Sequence, residues 1–200
     1  MIDNNMKRFI SKKLDVSFDE AFRLQKKFYL EFGTTLFGLM KYHNVNPDEF
    51  LDFVHDIDLT KIKKSKGLKY RINNLPGTKI LFTNGDEKYA KRVLESLGIE
   101  DSIDQIYDIK RANYLPKPKF ETYLRLIKEF NINPQKTVFF EDIEKNLEPA
   151  HKLGITTVHI KENFNSSQIN KSKDFVDLSF KCIDSALESI INNIYRRNNG

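Results

Sequence analysis

The chain has a single cysteine, Cys182, so no disulfide can close within it. Its four histidines are scattered rather than set at zinc-ligand spacing, which removes the common zinc frameworks. No apolar run approaches the length needed to cross a bilayer, and residues 1–8 are too polar for a secretory signal. There is no internal repeat, and the Asn, Ser and Lys of the C-terminal third read as polar loops rather than as a low-complexity domain. Nor is there a large charge excess: 33 basic and 28 acidic residues leave a formal net charge of +5, spread along the chain. Without an aromatic-basic motif that balance does not point to nucleic acid, and it suits small phosphorylated molecules equally well. The expectation is a soluble chain with no membrane partner, in a reducing, cytoplasmic setting. At this length about 70% of the unfolded surface can be buried, enough for one domain or one domain with a small accessory.

What is present begins with helices. Met6, Phe9 and Ile10 share one helical face, and Ser17-Phe18-Asp19-Glu20 is a capping box. Phe22, Leu24, Phe28, Tyr29 and Phe32 then follow at helix spacing up to Gly33. Residues 36–42 predict another helix, and Asn46-Pro47-Asp48-Glu49 opens one that carries Phe50, Phe53 and Val54. The basic stretch 61–67 marks a change of composition, and the sequence-based division is a helical domain over 1–66 and an α/β domain over 67–200.

Beyond that point strand and helix patterns alternate, which implies parallel strands with crossover helices. Strands are expected at 79–82, 105–108, 138–140, 156–160 and 175–178, with helices over 87–97, 120–130 and 183–195, the last carrying Ile190, Ile191 and Ile194. Val138-Phe139-Phe140 reads as a buried parallel strand ending at two adjacent acids, Glu141 and Asp142. Ile143, Leu147, Ala150 and Leu153 then recur at helix spacing before Gly154. In an open α/β sheet ligands bind at the carboxyl ends of the strands, and two hard oxygen ligands there suit Mg2+. The competing reading is that Asp142 caps the helix and Glu141 is solvated.

Two other strand ends carry polar groups suited to phosphate. Thr83 and Asn84 offer a hydroxyl and an amide, and Gly85 allows backbone N–H groups to approach a phosphate closely. Lys117, between Pro116 and Pro118, is a fixed cation that can neutralise a phosphoryl group. Singly, each has a plainer reading, an ordinary turn or a solvated lysine. Their order on successive strands favours one site.

The series Phe82-Thr83-Asn84-Gly85-Asp86, Pro116-Lys117-Pro118 and Phe140-Glu141-Asp142, with Asn146-Leu147-Glu148-Pro149-Ala150, resembles the second, third and fourth motifs of the haloacid dehalogenase-like hydrolases. The helical part resembles the cap of the pyrimidine 5'-nucleotidase branch through Tyr29, Gly33-Thr34-Thr35-Leu36, Gly38-Leu39-Met40, Phe53-Val54-His55-Asp56 and Asp58-Leu59. The resemblance implies an α/β core with a parallel sheet and an N-terminal helical cap. It also implies a Mg2+-dependent phosphomonoesterase acting on a small phosphorylated substrate, a pyrimidine nucleoside monophosphate. Thr83 would bind the phosphate with Asn84 beside it, and Lys117 would stabilise phosphate and nucleophile. Asp142 would bind Mg2+ with Glu141 assisting, and Asn146 would support the metal loop. Tyr29, Thr34, Thr35, Met40 and His55 become candidates for a substrate-reading face, with packing inside the bundle as the competing reading for Tyr29 and Met40.

One departure carries a consequence. The family's first motif, a strand ending in Asp-x-Asp ahead of the cap, is not found, and Asp3 leads into a helical pattern. The first aspartate of that motif is the covalent nucleophile and the second the general acid and base, so this chain is expected to be a very poor phosphatase. The motif's strand lies centrally in the family's sheet, so the expectation is a longer reading frame, a degraded gene or a strand supplied by another chain. A non-catalytic phosphate- or nucleotide-binding protein, and another phosphatase or a dehalogenase of the same superfamily, are the alternatives.

Overall fold

Local capping chemistry accounts for the helical N-terminal third of the computed structural model, which describes residues 1–161 and 173–198. Helix α1 (Ile2–Leu14) ends at Asp15 in the left-handed conformation. The Ser17 hydroxyl accepts the Glu20 N–H to start α2 (Phe18–Phe32), which Gly33 closes at φ 89°. Thr34 caps α3 (Thr35–His43), and Asn46 accepts the N–H groups of Asp48 and Glu49 at the start of α4 (Pro47–His55). These helices bury Phe9, Ile10, Ala21, Phe28, Leu36, Leu39, Phe50, Leu51 and Val54 in one core. Ile109, far away in sequence, completes that core, and Tyr114 packs against it. Gly38 is required where α2 meets α3: a Cβ there would lie 2.2 Å from Phe28 Cγ.

Helix α5 (Lys66–Asn73) begins inside the basic stretch 61–67, capped by Ser65. Then come β1 (Ile80–Phe82), α6 (Glu87–Leu97), β2 (Gln105–Tyr107), α7 (Phe120–Glu129), β3 (Val138–Glu141), α8 (Leu147–Lys152), β4 (Thr156–Ile160), β5 (Leu178–Phe180) and α9 (Ile183–Asn198). The polar stretch 162–172 lies outside the described residues. Ile190 and Ile191 are half-buried on α9, and the Ile194 side chain also lies outside the described residues.

The protein is an α/β fold with parallel strand pairing, as expected. Among the described residues, however, the strands fall into two sheets, β1-β2 and β3-β4-β5, and β1 is not paired with β3. In the three-stranded sheet Val138 pairs with Thr156 and Glu141 with His159, while Val158 pairs with Leu178, all in parallel register. At the edge of its sheet among the described residues, β3 is not the buried strand its apolar run suggests: Val138 is 41% exposed, and Phe139 and Phe140 are half-buried. The last strand lies at 178–180, shifted from the expected 175–178.

By spatial proximity the residues sort into two compact units. The first joins Met1–Lys63 with Ile80–Leu97 and Ile106–Lys117, and the second joins Lys64–Lys79 with Gly98–Gln105 and the residues from Pro118 onward. The first crossing, at 63/64, lies close to the 66/67 boundary read from composition, but segments of the α/β part belong with the helices.

Candidate active site

In the first unit, strand β1 delivers Thr83 to the turn that leads into α6. The Thr83 N–H donates to the Tyr107 carbonyl at 3.0 Å, extending the pairing of β1 with β2 by one residue. Its hydroxyl oxygen accepts the Gly85 N–H at 2.9 Å, so the turn is closed by its own threonine and the hydroxyl hydrogen is left to donate elsewhere. Gly85 has no left-handed backbone; its smallness serves close approach, since a Cβ would meet Thr83 Oγ1 at 3.3 Å. Asp86 caps α6 by accepting the Tyr89 N–H at 3.2 Å, and the Gly85 carbonyl accepts the Ile109 N–H at 3.1 Å.

Asn84 aims both ends of its amide at one residue 33 positions away. Its Oδ1 accepts the Lys117 N–H at 2.8 Å, and its Nδ2 donates to the Lys117 carbonyl at 3.2 Å. Lys117 is 7% exposed, its Nζ donates to the Phe82 carbonyl at 2.9 Å, and the ammonium sits 4.8 Å from the Phe82 ring centroid. The structure therefore brings Thr83, Asn84, Gly85 and Lys117 together around the end of β1. A buried ammonium held by a carbonyl and a ring face is a desolvated point charge suited to an anion. Asn84 places that charge by hydrogen-bonding the backbone that carries it.

Glu141 and Asp142 lie in the second unit, at the end of β3. Neither half of the competing reading holds. Helix α8 starts only at Leu147, after a 3-10 turn over Glu144–Asn146, so Asp142 does not cap it. Glu141 is buried, with Oε1 accepting the Ile143 N–H at 3.1 Å, whereas Asp142 is exposed. The helix expected from Ile143 begins four residues later because the chain first makes that tight turn. Asn146 is buried, its carbonyl accepts the Tyr123 hydroxyl at 2.6 Å, and its side-chain Oδ1 has no partner. Burial, with the Glu141 carboxylate nearby, pushes the Tyr123 phenol up and keeps it a neutral donor.

The orphaned Asn146 amide oxygen and the carboxylates of Glu141 and Asp142 are hard oxygen donors of the kind Mg2+ takes. Among the described residues no three acidic, histidine or cysteine side chains cluster to hold a metal unaided. His159, not singled out from the sequence, is buried opposite Glu141 in the sheet register, with Nε2 3.2 Å from the Asp142 carbonyl. Its place at the end of β4 is the only sequence signal that could have found it.

Of the five candidates for a substrate-reading face, three serve the bundle itself. Thr34 caps α3, the Thr35 hydroxyl donates to the Gln25 carbonyl at 3.2 Å, and Met40 packs on the core. Tyr29 is half-buried on α2, and its carbonyl accepts the Gly33 N–H that closes the helix. His55 lies against the Thr83 turn. The one Asp-x-Asp in the sequence, Asp56-Ile57-Asp58, is not at a strand end. It follows α4, both acids are exposed, and the Thr60 backbone and hydroxyl hydrogen bonds hold the Asp58 carboxyl below its ordinary range. A cavity of about 420 Å³ lined by Leu59, Thr60, Ile62, Arg92, Glu95 and Ser96 includes none of the site residues read from sequence.

A family model described as haloacid dehalogenase-like hydrolase matches residues 3–160, a span that contains the helical bundle, the Thr83 turn, Lys117 and the acid pair. The chain belongs to the haloacid dehalogenase-like hydrolase family. It is 27% identical to phosphate metabolism protein 8 of Saccharomyces cerevisiae over 82% of this chain and 56% of that protein, so it spans about half the length of that relative. Among solved structures it resembles a HAD phosphatase from Thermococcus onnurineus, with TM-score 0.62, 17% identity and coverage of 95% of this chain and 88% of that one. It also resembles the L-2-haloacid dehalogenase of Xanthobacter autotrophicus with chloropropionic acid covalently bound, with TM-score 0.58, 9% identity and coverage of 95% and 93%. A HAD hydrolase of Bacillus subtilis solved with bound magnesium gives TM-score 0.57, 14% identity and coverage of 96% and 79%. At these identities the structural likenesses establish the HAD fold. The family includes both phosphatases and dehalogenases.

Proposed function

We propose that the chain binds a small phosphorylated molecule in the manner of a Mg2+-dependent phosphomonoester hydrolase, with Thr83 and Lys117 on the phosphate and Glu141 and Asp142 on the metal. The observation that carries this reading is the clamp of Asn84 on the Lys117 backbone, at 2.8 and 3.2 Å, beside a threonine turn at a strand end. A surface lysine would not need such fixing; a charge meant for phosphoryl oxygens does, because misplacement by an ångström costs rate and affinity. Lys117 then neutralises a phosphoryl oxygen, and the Thr83 hydroxyl donates to another. Bound Mg2+ would supply Lewis-acid charge neutralisation. The buried Glu141 orients the loop through the Ile143 N–H, and the exposed Asp142 is the carboxylate accessible to the ion. A pyrimidine nucleoside monophosphate is the substrate class implied by the helical part's resemblance, and the name of the yeast relative fits a phosphate compound.

Covalent hydrolysis needs a carboxylate in line with the scissile P–O bond. Asp56 and Asp58 stand at the exit of a helix, and no strand-end Asp-x-Asp occurs in the sequence. This favours ligand binding without efficient turnover by the 200-residue chain. Calorimetric titration with inorganic phosphate and with UMP, with and without MgCl2, tests the reading, alongside turnover of p-nitrophenyl phosphate. Saturable binding is expected, weakened roughly 10- to 100-fold by Lys117→Ala, the equivalent of about 1.5–3 kcal/mol for a charge-assisted contact. Binding unchanged by both Lys117→Ala and Thr83→Ala overturns the site. Robust turnover abolished by Lys117→Ala keeps the site and overturns the binding-only reading.

A further inference from the structure

Behind the Thr83 turn, His55 of α4, Asp86 at the cap of α6 and Tyr89 of α6 are arranged with more order than packing demands. His55, the last residue of α4, is 9% exposed, and its Nδ1 lies 2.8 Å from Asp86 Oδ1, off the direction of a well-aligned N–H bond. Its ring stacks on Tyr89 at 4.3 Å between centroids and 8° between planes. A Cβ built on Gly85 would meet His55 Cε1 and Tyr89 Cδ1, each at 3.6 Å, so both rings border the backbone of the turn. The backbone that carries the imidazole is held as well: the Arg92 guanidinium donates to the carbonyls of His55 and Ile57, each at 2.8 Å.

For stability alone, an apolar side chain at this position would serve better than a buried imidazole facing a buried carboxylate, because desolvating polar groups offsets what their pairing contributes. What the polar arrangement adds is orientation. Asp86 sets the ring's rotation, Tyr89 sets its plane, and the Cε1 edge then borders Gly85. We propose that His55 is a positioning residue for the phosphate turn: its imidazole edge fixes the Gly85 backbone, and through the bond from the Gly85 N–H it fixes the Thr83 hydroxyl. This rests on the reading of Thr83 and Lys117 as the phosphate site. The path is short: His55 Cε1 borders the space beside Gly85, whose N–H donates to Thr83 Oγ1, and every member belongs to the first unit.

The test uses the full chain and inorganic phosphate as probe, with calorimetry and the histidine Cε1–H signals in proton NMR, the His55 signal being identified by its loss in His55→Asn. Asparagine keeps an amide donor toward Asp86 but lacks the ring edge. The expected result is that phosphate moves the His55 signal along the same saturation curve as the calorimetric one. His55→Asn is expected to unfold cooperatively near the midpoint of the unaltered chain and to bind phosphate about tenfold more weakly. Tyr89→Leu, which removes the ring that sets the imidazole plane, is expected to weaken binding in the same direction. If Lys117→Ala lowers affinity while His55→Asn does not, and the His55 signal stays still, the positioning role is overturned and the phosphate site stands. If the unaltered chain binds no phosphate, the site reading fails and the positioning role falls with it.

Discussion

At the scale of single residues, the candidate site is built by side chains that hold other groups rather than by side chains that reach outward. Asn84 satisfies both its amide ends on Lys117, and Glu141 folds back on Ile143. The Asn84–Lys117 pairing spans 33 positions and leaves no local pattern, which is why the sequence names Thr83, Asn84 and Lys117 through motif order but not the clamp that joins them. His55 is a sharper case. It belongs to a motif, yet its partners Asp86 and Tyr89 are more than thirty positions away. Burial lowers its pKa below the ordinary 6.5. Asp86 and Asp52 oppose the shift and Arg92 reinforces it, with Tyr89 stacked on the ring. The folded chain therefore binds fewer protons at this ring than the unfolded chain. That contribution to stability is fully present above 6.5 and is lost as pH falls from 6.5 through the lower folded value. Thermal melts at pH 7.5 and pH 5.5, values chosen to span that window, are expected to show a larger acid-induced fall in Tm for the unaltered chain than for His55→Asn. Equal falls would mean that the ring is as easily protonated folded as unfolded.

At the scale of elements, helix boundaries were legible because capping is local. Ser17 and Asn46 start α2 and α4 where the sequence places them, and Gly33, Gly98 and Gly154 adopt positive φ where helices end. Strand pairing was less legible, since an apolar triplet such as Val138-Phe139-Phe140 states its hydrophobicity but not how many neighbours it has. The join of α2 and α3 depends on one missing side chain. Alanine at Gly38 would gain up to about 1 kcal/mol in helix propensity. It would also place a methyl 2.2 Å from Phe28 Cγ and 2.5 Å from Phe28 Cβ, atoms near the backbone that cannot swing away. Overpacking of that kind costs about 1–3 kcal/mol, so the clash outweighs the propensity. Gly38→Ala is expected to lower the urea midpoint without changing the m-value, and Phe28→Leu in the same chain to recover part of the loss. A midpoint that rises would show that the helices separate at little cost.

At the scale of the whole molecule, the chain alternates between its two units in six segments, and so crosses between them five times. Composition places a boundary at 66/67 because the basic stretch there ends the helical rhythm, but composition cannot see that Ile109 and Tyr114 return to the bundle. Ile109 is 1% exposed within the helical core, and such a side chain contributes about 1.5–3 kcal/mol by burial. A core of roughly 70 residues rarely supplies more than about 3–5 kcal/mol in total, so losing Ile109 removes much of what a 1–66 fragment would have. The exposed pairs Lys88–Asp52 and Lys110–Asp48 are lost too, though each contributes little on the surface. The hydrogen bonds from Arg92 to the carbonyls of His55 and Ile57 matter more, because they satisfy the end of α4. Fragment 1–66 is expected to show reduced helicity by circular dichroism and a broad, non-cooperative melt. Fragment 1–117, which contains every segment of the first unit, is expected to recover a sharper transition. A cooperative melt of 1–66 near the Tm of the full chain would show that the four N-terminal helices form a folding domain by themselves, and that Ile109 merely settles on a surface already built.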